Sequence, residues 1–359
     1  MREADLARYD YSLCHGCGVV YAALRPERDE YARLLADFDE NLGRPEDSAS
    51  NPVVNDVRLT DHDRAELRHR LRHGWLVSEE DRPADWIPAL LDDRMQHAPH
   101  LDLILSSTPP RGARVLEIRS STGWLLDVLR RVLDAEVYAM PAFEVQQLII
   151  DEVYGIPSGE LVDFARFEIP YDGQFDLIIS KHMFTHVLEP DRFFAVLRER
   201  LRPGGQVYLY VENDDLEIDA RGKNLFGEMK CFHFQNFDLP SFARVLRRQG
   251  FEPRFVRHVS RASMAALAKV DPATAGTSID PEELAERVAR YRRWRDESVL
   301  SLPKRALSLF GDELELVERR ALERGYARRE PDGRVLPLRK LKLVHEAGYA
   351  RINEQAQQA

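Results

Sequence analysis

The sequence predicts an α/β protein built on a doubly wound, mostly parallel sheet. Three observations predict it. From residue 114 onward, apolar runs of strand length alternate with amphipathic runs of helix length. The first strand, ARVLEI, leads through an acid and the small-residue turn of RSSTG into a helix. The run FDLIIS, at 175–180, is short and apolar, as expected of a strand covered on both faces.

Each element follows from its residues. After ARVLEI, TGWLLDVLRRVL reads as a helix with Leu125, Val128, Leu129 and Val132 as its apolar face. AEVYAM is a second strand, and FEVQQLIIDEVYG is a helix that stops at Gly155. After FDLIIS comes the helix DRFFAVLRERL, closed by RPGG at 202–205, and then the strand QVYLYVE. DLPSFARVLRRQG is a helix with Asp238 as N-cap and Gly250 as its stop, and FEPRFVRHV is the final strand. Upstream, residues 61–105 read as helical, with Trp86, Leu90, Leu91 and Met95 on one face. Downstream, SIDPEELAERVARYRRW carries Asp280 as N-cap, Pro281 in the first turn and a stripe of Leu284, Val288 and Tyr291. REPDGRVLPL is a turn between short extended pieces. The chain thus divides into an N-terminal module (1–45), a linker and helical cap (46–108), the α/β domain (109–265) and a mainly helical C-terminal extension (266–359).

Composition narrows the function. The 359 residues suffice for one sizeable core with appendages. A net charge of −10 argues against nucleic acid as the main partner, because phosphate binding needs a basic footprint. No apolar run reaches the length of a membrane span, and the polar start MREADLARYD does not read as a signal peptide. A cytoplasmic protein with no membrane partner is expected. Three cysteines, two of them in CHGC, are not a disulfide framework. Cys14 and Cys17 have the spacing of a zinc knuckle, yet structural zinc takes four ligands, so this incomplete site is not expected to hold zinc.

Four pieces in order carry a resemblance: CHGCGVVYAALRP, GARVLEIRSSTGWLLDVL, FDLIISKHMFTHVLEPDRFFAVLRERLRPGGQVYLYVEN and CFHFQNFDLPSFARVLRRQGFEP. Together they resemble class I S-adenosylmethionine-dependent methyltransferases of bacterial biosynthetic pathways, in particular those with a small cysteine-containing N-terminal module. The resemblance covers residues 10–25 and 110–260. It implies a Rossmann-like, seven-stranded sheet with its last strand antiparallel, S-adenosylmethionine as cofactor and methyl transfer to a small-molecule acceptor. It leaves a homo-oligomer open.

The family's first loop reads acid-x-Gly-x-Gly-x-Gly. Here the acid is Glu117, and the loop runs Arg119, Ser120, Ser121, Thr122, Gly123. Arg119 and Ser121 stand where the family has glycine. At the end of the next strand, where the family places an acid for the ribose, this chain has Met140 and Pro141, with Glu144 a turn later. Asp163 is nearest to the position that contacts the adenine amino group, and Lys181 is placed to line the pocket. These residues are the candidate cofactor contacts.

His182 and His186 follow the strand 175–180 at its carboxyl end, where ligands of such sheets bind. A histidine there can serve as general base, since imidazole titrates near neutrality. Both are the candidate catalytic residues. Glu212 ends the next strand, where it can face an acceptor. His233, between two phenylalanines, reads first as a core-edge histidine and second as an acceptor-site residue. The drifted loop keeps a second hypothesis in play, a non-catalytic methyltransferase-like binding module. A nicotinamide-dependent oxidoreductase is disfavoured, because it needs a glycine-rich first loop and usually an acid after the second strand.

Overall fold

The computed structural model describes residues 11–22, 97–164, 166–213, 233–260, 263–274, 278–301 and 313–338, with a few single residues besides. The expected face of Trp86, Leu90, Leu91 and Met95 lies outside them.

Strands β1 (Tyr11–Leu13) and β2 (Val20–Ala22) form an antiparallel hairpin with the Cys14–Cys17 stretch at its turn. The main domain runs β3 (Arg114–Ser120), α1 (Trp124–Leu133), β4 (Glu136–Pro141), α2 (Glu144–Ile149), β5 (Phe175–Lys181), α3 (Pro190–Arg200) and β6 (Leu201–Glu212). The short β7 (Gln235–Asn236) joins the N-terminal hairpin. Then follow α4 (Leu239–Arg248), β8 (Phe251–Ser260) and β9 (Ser263–Val270). The tail holds α5 (Pro281–Leu300), α6 (Glu313–Glu323) and the hairpin β10 (Ala327–Arg329) with β11 (Val335–Pro337), around the expected turn.

The main sheet has the order β4-β3-β5-β6-β9-β8. Strands β4, β3, β5 and β6 are mutually parallel, and β9 is antiparallel to both its neighbours. The Rossmann-like architecture is therefore present, but among the described residues the sheet has six strands, not seven. Beyond β4 the chain makes one parallel bridge, Ala139 to Ser158. The stretch that follows α2 carries Pro157, Gly159, Pro170 and Gly173, residues that interrupt a ladder. A second correction concerns the far edge. FEPRFVRHV is not the last strand: SMAALAKV folds back as β9 between β6 and β8, crossing the boundary drawn at residue 265. Its alanines disguise it, since alanine favours helices in isolation. Here Ala265, Ala266 and Ala268 are fully buried in the sheet.

Alternating side chains feed two cores. Leu116, Ile118, Ile178 and Leu209 pack on one face with Phe184, Phe193, Phe194 and Phe242. Val115, Leu177, Ile179 and Leu267 pack on the other with α1. The buried face of α1 is Leu125, Leu126, Leu129 and Leu133, turned from the expected one, so that Val132 is 51% exposed. Gly205 is required by close backbone: a Cβ there would lie 2.9 Å from the Arg202 carbonyl oxygen and 3.0 Å from that of Phe175.

Asp238 caps α4, accepting from the Ser241 amide at 2.9 Å. Asp280 caps α5, accepting from the Glu282 amide at 2.8 Å. Helix α5 is held to the main domain by ion pairs. Arg287, fully buried, pairs with Asp238, and Arg244 forks onto Glu283 at 2.7 and 3.0 Å. The buried face of α5 is accordingly centred on Arg287 and Trp294, while the expected stripe of Leu284, Val288 and Tyr291 is half-buried.

Candidate active site at the carboxyl edge of the sheet

The parallel strands β3, β4, β5 and β6 all end on one edge, at Ser120, Pro141, Lys181 and Glu212. The first-loop residues, Lys181, His182 and Glu212 therefore meet by topology.

Glu117 and Lys181 point into the sheet's end. Their side chains are 1% and 3% exposed, and the ammonium lies 2.7 Å from the carboxylate. Lys181 also donates toward Nδ1 of His97 at 3.1 Å. So Lys181, expected to line the pocket, is buried in an ion pair beneath it. Ser120 is buried too, its hydroxyl donating to the Glu117 carbonyl at 2.7 Å, and Thr122 is buried beside it.

Arg119 and His182 share a rare backbone state. Both lie in the left-handed region, with φ of 57° and 52°. Non-glycine residues pay for that conformation, and such residues concentrate at functional sites. The two face each other across neighbouring strand ends, where the Arg119 guanidinium donates to the His182 carbonyl and lies 5.8 Å from the Phe164 ring. The loop thus turns through the left-handed region at Arg119, and Gly123 adds a second such turn at φ 87°. The arginine side chain is laid from the end of β3 to the end of β5.

The His182 ring donates from Nδ1 to Oε1 of Glu212 at 2.5 Å and stands edge-on to Tyr210, with ring centres 4.6 Å apart. The Thr185 hydroxyl donates to the other oxygen of Glu212 at 3.2 Å. Burial by itself pushes the Glu212 carboxyl up, but the charge and hydrogen bond of His182 outweigh it and hold the group well below the usual carboxylate range. Glu212 is therefore ionised at neutral pH.

His186, in a 3-10 turn after β5, is buried, with its ring 4.8 Å from His233 and 5.8 Å from Phe164. Burial, then His233 and Arg119, push it well below the ordinary imidazole value. It is a neutral ring at physiological pH. His182 and His186 thus occupy different settings, the first half-exposed and paired with a carboxylate, the second enclosed.

Met140 and Pro141 are buried at the end of β4. The Val162 amide donates to the Pro141 carbonyl at 2.9 Å, which seats Asp163 beside that strand end. Asp163 is exposed and accepts from the Arg166 amide at 2.9 Å. The amides of Ala142 and Phe143 are both satisfied by the Gln146 side chain, at 3.1 and 3.3 Å, which fixes the turn into α2. Cys14 and Cys17 sit in their hairpin turn, where the Gly18 amide donates to the Cys14 carbonyl at 2.8 Å. The Cys17 thiol is pushed up, chiefly by burial.

Two residues went unread in the sequence. Residues 97–105 form a helix over this edge, bringing His97 to Lys181 and His100 to Tyr208, whose hydroxyl lies 2.7 Å from His100 Nδ1. Their i, i+3 spacing in MQHAPHLDLIL was the available signal.

Burial pushes His100 down to about 2 from its ordinary 6.5, assisted by Lys181, His97 and His182. The unfolded chain takes up the proton first, so stability falls as pH drops below about 6.5, by up to about 1.4 kcal/mol per pH unit from this group. We expect His100→Gln to flatten the acid slope by about that amount, read from urea midpoints across mildly acidic pH. Parallel slopes in the two proteins would refute this.

Residues 87–254 match the protein family described as a methyltransferase domain. The chain is 27% identical over 173 residues to the tRNA U34 carboxymethyltransferase of Syntrophotalea carbinolica, covering 46% of this chain and 50% of that protein. It is 28% identical over 154 residues to the ubiquinone biosynthesis O-methyltransferase of Aromatoleum aromaticum, covering 42% and 60%. It thus spans about half the length of the curated relatives it matches. Among solved structures, the Burkholderia thailandensis 1,6-didemethyltoxoflavin-N1-methyltransferase with bound 1,6-didemethyltoxoflavin and S-adenosylhomocysteine is 16% identical, with 70% of this chain and 96% of that one covered and a TM-score of 0.42. The DhpI–SAH complex is 21% identical, with 58% and 95% covered and a TM-score of 0.38.

Proposed function

We propose that this chain, whose residues 87–254 match the methyltransferase-domain family, transfers a methyl group from S-adenosylmethionine to a small acceptor at the carboxyl edge of its sheet. The observation that carries the reading is the His182–Glu212 pair, held one strand away from the loop 119–123. A base and a cofactor loop on one edge are what methyl transfer needs.

The fit of the cofactor can be judged from the loop itself. Its backbone keeps left-handed turns at 119 and 123, with Glu117 buried behind it. Ser121 and Gly123 would face the methionine end, Met140 and Pro141 the nucleoside, and Asp163 the adenine amino group. When bound, the cofactor supplies an electrophilic methyl on a sulfonium. The chain's own work is then alignment and proton removal. Glu212 accepts a hydrogen bond from Nδ1–H of His182, which leaves Nε2 as the basic nitrogen, the tautomer being assigned from this hydrogen bond. A net charge of −10 favours a small acceptor over a polyanion.

Arg119 limits this site. Its guanidinium crosses the mouth, beside a ligand that carries a sulfonium and an ammonium, and like charges repel most in a partly desolvated pocket. We expect Arg119→Gly with Ser121→Gly to tighten cofactor binding by at least about tenfold, roughly 1.4 kcal/mol. Calorimetric titration with S-adenosylmethionine and S-adenosylhomocysteine checks both points. Saturable heat from the wild type supports the methyltransferase reading. No heat and no thermal shift from either protein would leave a non-catalytic binding module. Tight wild-type binding with no gain in the variant would clear Arg119 of any obstructing role.

A further inference from the structure

His186, Glu212 and His233 each offer one ligand atom, and these atoms all lie within 4.8 Å of one another. We propose that this triad binds a divalent first-row transition-metal ion through two imidazole nitrogens and one carboxylate oxygen. The proposal stands on geometry and does not depend on methyl transfer.

Three separate segments are fixed to bring these groups together. His186 closes the 3-10 turn after β5, its amide donating to the Met183 carbonyl at 2.9 Å. The Phe234 amide donates to the Thr185 carbonyl at 2.8 Å, which sets His233 beside His186. Glu212 ends β6, the strand paired with β5. The two imidazoles stand nearly perpendicular, at 79°, with ring centres 4.8 Å apart.

The chemistry of the donor set suits such an ion. Two imidazoles with one carboxylate serve zinc, iron(II) and similar ions, and three protein ligands leave positions for an exchangeable oxygen donor. Metal–ligand bonds of about 2.0–2.2 Å require some contraction of the triad, within reach of side-chain rotation. Glu212 already has the outer hydrogen bonds that orient a metal-binding carboxylate, from His182 at 2.5 Å and from Thr185 at 3.2 Å. The Arg119 guanidinium near His186 opposes a cation, so we expect exchangeable rather than permanent binding.

The test uses the full chain, stripped with a chelator. Cobalt(II) is titrated and followed by its visible absorption, and zinc(II) by calorimetry and thermal shift. We expect one equivalent to bind and to raise the melting temperature. His186→Asn and His233→Gln should each weaken binding by at least about tenfold, as should Glu212→Gln, which keeps the shape of the side chain if either histidine variant fails to fold. The Cys14→Ser, Cys17→Ser double variant should bind as the wild type does. Absence of binding, binding unchanged by the triad substitutions, or binding lost with the cysteines would overturn the proposal.

Discussion

Replacing Lys181 with methionine is expected to destabilise the protein by about 3–5 kcal/mol, the cost of stranding a buried carboxylate. Glu117 and Lys181 are almost fully enclosed and 2.7 Å apart on adjacent strands. Removing the ammonium leaves Glu117 with its desolvation cost and without the charge that offsets it. Much of this is the penalty of an orphaned charge, not the net worth of the pair. Hence Glu117→Gln together with Lys181→Met should recover most of the loss, because a neutral amide beside a thioether carries no buried charge. Urea midpoints of the two single variants and the double variant measure this directly. A Lys181→Met variant within about 1 kcal/mol of the wild type, or a double variant no better than the single, would show that the pair is solvated and mobile.

The elements that read correctly in the sequence are those whose signal is local. FDLIIS is apolar throughout and has one sensible fate, a strand buried on both faces. Asp238 and Asp280 stand before helical runs and cap them through their own side chains. Failures arise where tertiary contacts decide. SMAALAKV is a strand because small residues fit a sheet packed on both sides, a fact absent from its propensity. The buried face of α5 is centred on Arg287, whose partner Asp238 caps another helix, so the half-buried apolar stripe marks the flank of that face rather than its centre.

The candidate site divides the same way. Strand ends are legible, so Lys181, His182 and Glu212 could be placed on one edge beforehand. Side-chain direction was not, and Lys181 turned inward to Glu117. The convergence of His186, Glu212 and His233 was hidden, because the three lie on separate segments that only the sheet order and the bond from Phe234 to Thr185 bring together. His97 reaches Lys181 from 84 residues upstream, beyond any local pattern.

Substituting His182 with asparagine is expected to lower kcat for methyl transfer by about 10²–10⁴, the usual contribution of a positioned general base. Cofactor affinity should stay within about twofold, since a group that acts on the acceptor's proton alters turnover rather than cofactor binding. Asparagine is the informative replacement because residue 182 sits at φ 52°, a conformation that asparagine tolerates and most other residues do not. The variant therefore keeps the turn after β5 while removing the basic nitrogen. The Nδ1 bond to Glu212 fixes the ring so that Nε2 carries the lone pair, and the ionised carboxylate stabilises the imidazolium formed when it takes a proton. Glu212→Gln should accordingly slow turnover as well, by weakening the base without displacing it. A purely structural role for His182 would instead lower thermal stability and cofactor affinity along with kcat. The decisive comparison is single-turnover transfer from labelled cofactor beside calorimetric binding of S-adenosylhomocysteine to the same His182→Asn protein. A variant that transfers methyl within about threefold of the wild-type rate would remove His182 from the chemistry and leave alignment alone to account for catalysis.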